Sequence, residues 1–177
     1  MTFPSEAAFA PVEIQTRTGR TLQVREYTLD DFRPLVQMYK GFEPKRIAQG
    51  LPPPDVPRIA EWLDRLQQKS RALLAWDGPR VVAHALLCPI SEAAVEFTIF
   101  VHQDYRCMGL GTALTRLAVA FADQCGFAEV FLTTELSNLA ALRVYRHVGF
   151  QVTSSFGDEC EMKLVIAGSS SPQVRAA

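Results

Sequence analysis

The stretch that most restricts the fold of this 177-residue chain is Val101-His-Gln-Asp-Tyr105-Arg106-Cys107-Met108-Gly109-Leu110-Gly111-Thr112-Ala-Leu114, a glycine-bearing loop between two apolar segments. The run 95–101 before it reads as a strand. After it, Leu110, Ala113, Leu114, Leu117, Ala118, Phe121 and Cys125 recur at the spacing of one helix face, and Gly126 ends the pattern. A second apolar run, 130–133, follows, so the unit is expected to be a right-handed parallel crossover. Amides at a helix start have no intrahelical partner and lie at the positive end of the dipole, which makes the loop a candidate anion site. Gly109 and Gly111 let the main chain approach an anion closely. Two other phosphate loops are excluded. Leu114 stands where a dinucleotide fingerprint needs its third glycine, and no Gly-Lys-Ser/Thr follows for a nucleoside triphosphate.

The rest of the chain reads as one α/β unit over 21–167, with an irregular lead-in over 1–20 and a disordered tail over 168–177. A short strand over 22–27 precedes a helix capped by Thr28 or Asp30 and ended at Gly41. A Pro- and Gly-rich loop over 41–54 leads to a second helix begun by Asp55 and Pro57. Runs 71–76 and 81–88 form a hairpin across Asp77-Gly78-Pro79-Arg80, and a last hairpin joins 150–156 to 162–166.

Arg106-x-x-Gly109-x-Gly111-x-x-Leu114, with Val101 and Tyr105 before it, resembles the acyl-CoA pyrophosphate loop of the GNAT superfamily of N-acetyltransferases. Downstream, Asn138-x-x-Ala141-x-x-x-Tyr145-x-x-x-Gly149-Phe150 is similar to that superfamily's last helix and following strand. The resemblance implies a GNAT fold, a mixed and mostly antiparallel central sheet flanked by helices, with acetyl-CoA as cosubstrate and no metal. It implies that residues 106–112 (Arg106, Cys107, Met108, Gly109, Leu110, Gly111 and Thr112) hold the pyrophosphate. Ile99 and Val101 would meet the pantetheine arm through their main chain, and Asn138, Ala141 and Tyr145 would flank it. Cys107 and Met108 depart from the family pattern, where Gly and a basic residue are frequent, so the amides carry more of the binding. Arg106 is expected to contact phosphate or to brace the loop. Cys107 is read as a tolerated small residue, with oxidation as the alternative.

A lysine-like amine has a pKa of about 10.4, so at pH 7 fewer than about one molecule in a thousand is nucleophilic, and a base is needed. Ala94-Val95-Glu96-Phe97 resembles the Glu-Phe pair of bacterial protein-lysine acetyltransferases, which assigns Glu96 as base, directly or through water. The alternatives for Glu96 are a solvated strand carboxylate or an arginine partner, and Glu135, His84 and His102 are the other candidate bases. Tyr145 is the candidate acid for the departing thiolate. At about 100° per residue it leaves the helix within about 20° of Asn138, although an N-cap explains Asn138 equally well and a core aromatic explains Tyr145.

The net charge of −1 supplies no basic field for nucleic acid or an anionic membrane. Neither a signal-peptide pattern nor an apolar run near about 20 residues is present, so a cytoplasmic location is expected. Cys88, Cys107, Cys125 and Cys160 have neither zinc-ligand nor disulfide-framework spacing. The expected reaction is acetyl transfer to a primary amine, on a protein lysine or a small molecule, by a monomer or homodimer. The alternative is a non-catalytic acyl-CoA-binding regulatory module.

Overall fold

The computed structural model describes residues 2–43, 52–53 and 55–166; the expected tail and most of the 41–54 loop lie outside them. One eight-stranded sheet runs in the order β1-β2-β3-β4-β5-β6-β8-β7. Its strands are β1 (Val12–Gln15), β2 (Thr21–Glu26), β3 (Arg71–Asp77), β4 (Arg80–Pro89), β5 (Ala94–Val101), β6 (Glu129–Glu135), β7 (Gln151–Phe156) and β8 (Glu159–Val165). Among the described residues only β5 and β6 pair in parallel, joined by helix α3 (Leu110–Gln124); the other neighbours are antiparallel.

Each face of the sheet has its own core. Helices α1 (Phe32–Lys40) and α2 (Val56–Gln67) bury Leu35, Tyr39, Ile59 and Leu63 against Leu74, Leu86 and Phe100. On the opposite face α3 and α4 (Leu139–Val148) bury Leu114, Phe121, Leu142 and Tyr145 against Val95, Phe97, Val130 and Met162. The helix starts follow local chemistry. The Asp55 carboxylate accepts the Arg58 amide at 3.0 Å, with Pro57 in the first turn. Thr28 and Asp31 form a reciprocal capping box that opens a 3₁₀ turn, Leu29–Asp31, before α1.

The expected irregular lead-in contains a strand. Val12–Gln15 is four residues long and pairs with β2, too short for its alternation to stand out. The lead-in is also tied down by Arg71, whose guanidinium donates to Glu26 at 2.6 and 2.8 Å and to the Ala7 carbonyl at 2.8 Å, and lies 4.5 Å from the Phe121 ring.

Candidate active site

The two edges of β5 differ, and the site lies where they do. Towards β4 the register is continuous from Pro89↔Val95 to Ala83↔Val101. Towards β6 it stops after Ala94↔Glu129, Val95↔Val130 and Glu96↔Phe131. Beyond Glu96 the two parallel strands part. The His102 N–H donates to Val82 on β4 at 2.9 Å, so the Val101 carbonyl, on the other side of that peptide, points into the opening. Ile99, two residues earlier, presents its main chain to the same side.

Side-chain alternation then sorts the candidate acid and base onto opposite faces. Val95, Phe97, Ile99 and Val101 pack in the α3–α4 core, whereas Phe100 belongs to the α1–α2 core. Glu96, between Val95 and Phe97, therefore leaves from the α1–α2 side. It is exposed and has no hydrogen bond or ion pair among the described residues. A depression of about 270 Å³ lined by Ile90, Glu96, Phe131, Leu132, Thr133 and Glu161 opens beside it. Tyr145 comes from the other face, its ring edge-on to Phe97 at 6.4 Å and tilted on Phe150 at 5.9 Å. Its hydroxyl makes no hydrogen bond among the described residues, and burial pushes the phenol up to about 12.

At the end of the opening, a 3₁₀ turn over Gln103–Tyr105 passes into the glycine loop. Tyr105 anchors it from below, donating its hydroxyl to Asp77 at 2.6 Å. Cys107 has φ 60°, a left-handed conformation that costs a non-glycine residue about 1 kcal/mol or more. Gly109 caps α3 at φ 86°, and the amides of Leu110, Gly111 and Thr112 lie in its open first turn. Arg106 makes bracing contacts. Its Nε donates to the Val101 carbonyl at 3.1 Å, its terminal nitrogen donates to the Glu43 carbonyl, and its guanidinium lies 5.4 Å from the Phe42 ring.

The model of the acetyltransferase (GNAT) family matches residues 32–150, a span that includes the parting strands, the loop and α4. The chain belongs to this family. Mycothiol acetyltransferase of Corynebacterium glutamicum is 28% identical over 152 residues, 85% of this chain and 47% of that protein. The chain spans less than half the length of the curated relatives it matches. Among solved structures, the GNAT domain of S. lividans PAT superposes with a TM-score of 0.78 at 20% identity, covering 88% of this chain and 97% of that one. YncA of Salmonella typhimurium, solved with acetyl-CoA, gives 0.66 at 20% identity over 86% and 98%. Both likenesses bear on the GNAT fold.

The other candidate bases of this GNAT chain differ in where they stand, Glu135 on the parted end of β6 and the two histidines in buried surroundings. Glu135 ends β6, where it accepts the Ser137 hydroxyl at 3.1 Å. His102 is buried beside the 3₁₀ turn, its Nδ1 accepting the Asp104 amide at 3.4 Å. His84 is fully buried in the α1–α2 core, sharing a hydrogen bond of 2.8 Å with the Tyr39 hydroxyl, and its Nε2 has no partner among the described residues. Burial alone lowers His84 to about 3. The unfolded chain then binds the proton more readily between about 6.5 and 3, so stability falls as pH drops through that window, by on the order of 4–5 kcal/mol in all. Burial also lowers His102, which adds to the slope. We expect His84→Leu to cost stability at pH 7 through the lost Tyr39 bond, yet to flatten urea-unfolding stability between pH 6.5 and 5 relative to the wild type. Equal slopes in the two proteins would contradict the assignment.

Asn138 caps α4, its Oδ1 accepting the Ala141 amide at 3.2 Å. The structure also brings up a residue that the sequence reading passed over. Arg17, in the turn between β1 and β2, lies on the glycine loop, and only the unrecognised strand β1 could have pointed to it.

Proposed function

We propose that the protein transfers the acetyl group of acetyl-CoA to a primary amine by direct attack. The observation that carries this reading is the end of β5–β6 pairing at Glu96↔Phe131, an opening with Glu96 on one face and Tyr145 on the other. The amides at the start of α3 hold the pyrophosphate, with Gly109 and Gly111 giving access, and the main chain of Ile99 and Val101 holds the pantetheine arm. Ala141 is small enough to let α4 close over that arm, and Asn138 flanks it. Acetyl-CoA supplies the activated acyl group as a substrate.

Glu96, directly or through water, takes a proton from the incoming ammonium, which frees its lone pair to attack the thioester carbonyl. As the carbon–sulfur bond breaks, Tyr145 gives its proton to the thiolate, and the second proton of the former ammonium, released as the amide forms, restores the phenol while Glu96 returns its own to solvent. A phenol pushed up to about 12 keeps its proton throughout the neutral range, so the donor is always loaded. The acceptor reaches Glu96 from the α1–α2 side, and the two carboxylates in the depression there, Glu96 and Glu161, favour a cationic amine. Protein lysines and small polyamines both have that chemistry.

The test is CoA release with acetyl-CoA and a panel of amines: lysine-bearing peptides, polyamines and amino acids. Release with at least one class is expected. A module that only binds acyl-CoA would bind acetyl-CoA and release CoA with none. Tyr145→Phe should lower kcat more than it raises the KM of acetyl-CoA, because it removes a donor used as the thiolate leaves. If the variant instead unfolds, Tyr145 serves the core.

A further inference from the structure

The glycine loop has one cationic side chain of its own, Arg106, and it is partly engaged. Met108 is uncharged, and Arg106 directs its Nε and one terminal nitrogen at the carbonyls of Val101 and Glu43. A neighbouring turn brings in another. Residues 16–20 close the β1–β2 hairpin through Thr16 N–H to the Arg20 carbonyl at 2.8 Å, Gly19 N–H to the Thr16 carbonyl at 3.0 Å and Arg20 N–H to the Thr16 hydroxyl at 3.0 Å. This turn docks on the loop. The Arg17 N–H donates to the Met108 carbonyl at 2.9 Å, and the Thr18 hydroxyl reaches the Met108 sulfur at 3.7 Å. The Arg17 side chain then runs alongside Gly109, where a Cβ would stand 3.4 Å from both its Cγ and its Nε.

The two arginines of the turn differ in what they already hold. Arg20 is paired with Asp77 at 2.9 Å and lies 5.6 Å from the Tyr105 ring. Arg17 is exposed and forms no ion pair among the described residues. Helix-start amides offer only about half a positive charge to a diphosphate, whereas a guanidinium adds a full charge and paired donors.

We infer that Arg17 is a side-chain cation for the pyrophosphate of acetyl-CoA, reaching in from the β1–β2 turn in place of a basic residue at position 108. The inference rests on the reading that acetyl-CoA occupies the loop. It is tested without an acceptor, by calorimetric titration of the apo protein with acetyl-CoA at about 0.1 M salt. Arg17→Ala should weaken binding about tenfold or more, with the apo melting temperature unchanged. Arg17→Lys should fall between, and Met108→Lys added to Arg17→Ala should recover most of the loss. The ratio of wild type to Arg17→Ala should shrink at high salt.

Two truncated ligands locate the contact. Acetyl-pantetheine, which lacks the pyrophosphate, should shift the melting temperature of wild type and Arg17→Ala equally. Acetyl-CoA without its 3′-phosphate should still lose affinity on the substitution. A loss that vanishes with that ligand would move Arg17 to the 3′-phosphate and overturn the assignment. So would equal acetyl-CoA affinity in the two proteins, or an equal loss on acetyl-pantetheine. A wild type that binds no acetyl-CoA refutes the cofactor reading instead.

Discussion

Replacing Glu96 by glutamine is expected to lower turnover at neutral pH by about 10²–10⁴-fold, the usual contribution of a positioned general base. Glutamine keeps the shape of a side chain that is exposed and unpaired among the described residues, so melting temperature and acetyl-CoA affinity should hold. The pH dependence identifies the cause. A lysine-like amine gains free base about tenfold per pH unit below its pKa of about 10.4, so the variant should recover part of its rate at high pH. A wild-type–like rate across the whole range would move the base elsewhere, with Glu135 or an ordered water chain next. A uniform loss with no recovery would mean that Glu96 positions the acceptor without taking its proton.

The difference between what the chain's pattern disclosed and what needed coordinates follows the range of the interactions. The α3 face and its end at Gly126, the Asp55 cap and the Gly78-Pro79 turn are decided within a few residues, and they lie where spacing places them. The helix expected from Asn138 begins one residue later because Asn138 is its cap. Strand β1 was missed for want of length, and with it went the turn that carries Arg17 to Gly109, a contact across more than half the chain.

The opening between β5 and β6 has the same character. Nothing in Phe97 to Val101 or Leu132 to Glu135 marks where pairing stops, because both continue as good strand sequence. The stop is a property of the register of two strands joined by a helix. What the pattern did supply was the alternation placing Glu96 opposite Phe97, which becomes informative once Phe97 is seen against Tyr145. Likewise, the departure at Cys107 was visible as a residue change, while its physical meaning, a side chain held at φ 60°, required the backbone. Arg106 was readable as part of a motif, but its brace to Glu43 depends on how the end of α1 packs beside the loop.

Gly111→Asp is expected to separate cofactor binding from folding. In the wild type, acetyl-CoA at 100 times its dissociation constant should add about 2.7 kcal/mol, a melting shift of about 5–10 °C for a domain of this size. Gly111 is the second residue of α3, and a Cβ there would meet only Val144 Cγ2 at 3.9 Å, an ordinary contact. An acidic side chain in a first helical turn also interacts favourably with the dipole, so the apo variant should melt at or slightly above the wild-type temperature. Bound pyrophosphate reverses that sign. Two like charges about 4 Å apart repel by about 4 kcal/mol at an effective dielectric of about 20, roughly a thousandfold in affinity, which is enough to erase the ligand-induced shift. Differential scanning fluorimetry of both proteins with and without acetyl-CoA reads all four states. A shift that survives in Gly111→Asp would place the pyrophosphate away from the α3 amides, and a wild type unmoved by saturating acetyl-CoA would refute its binding at this loop.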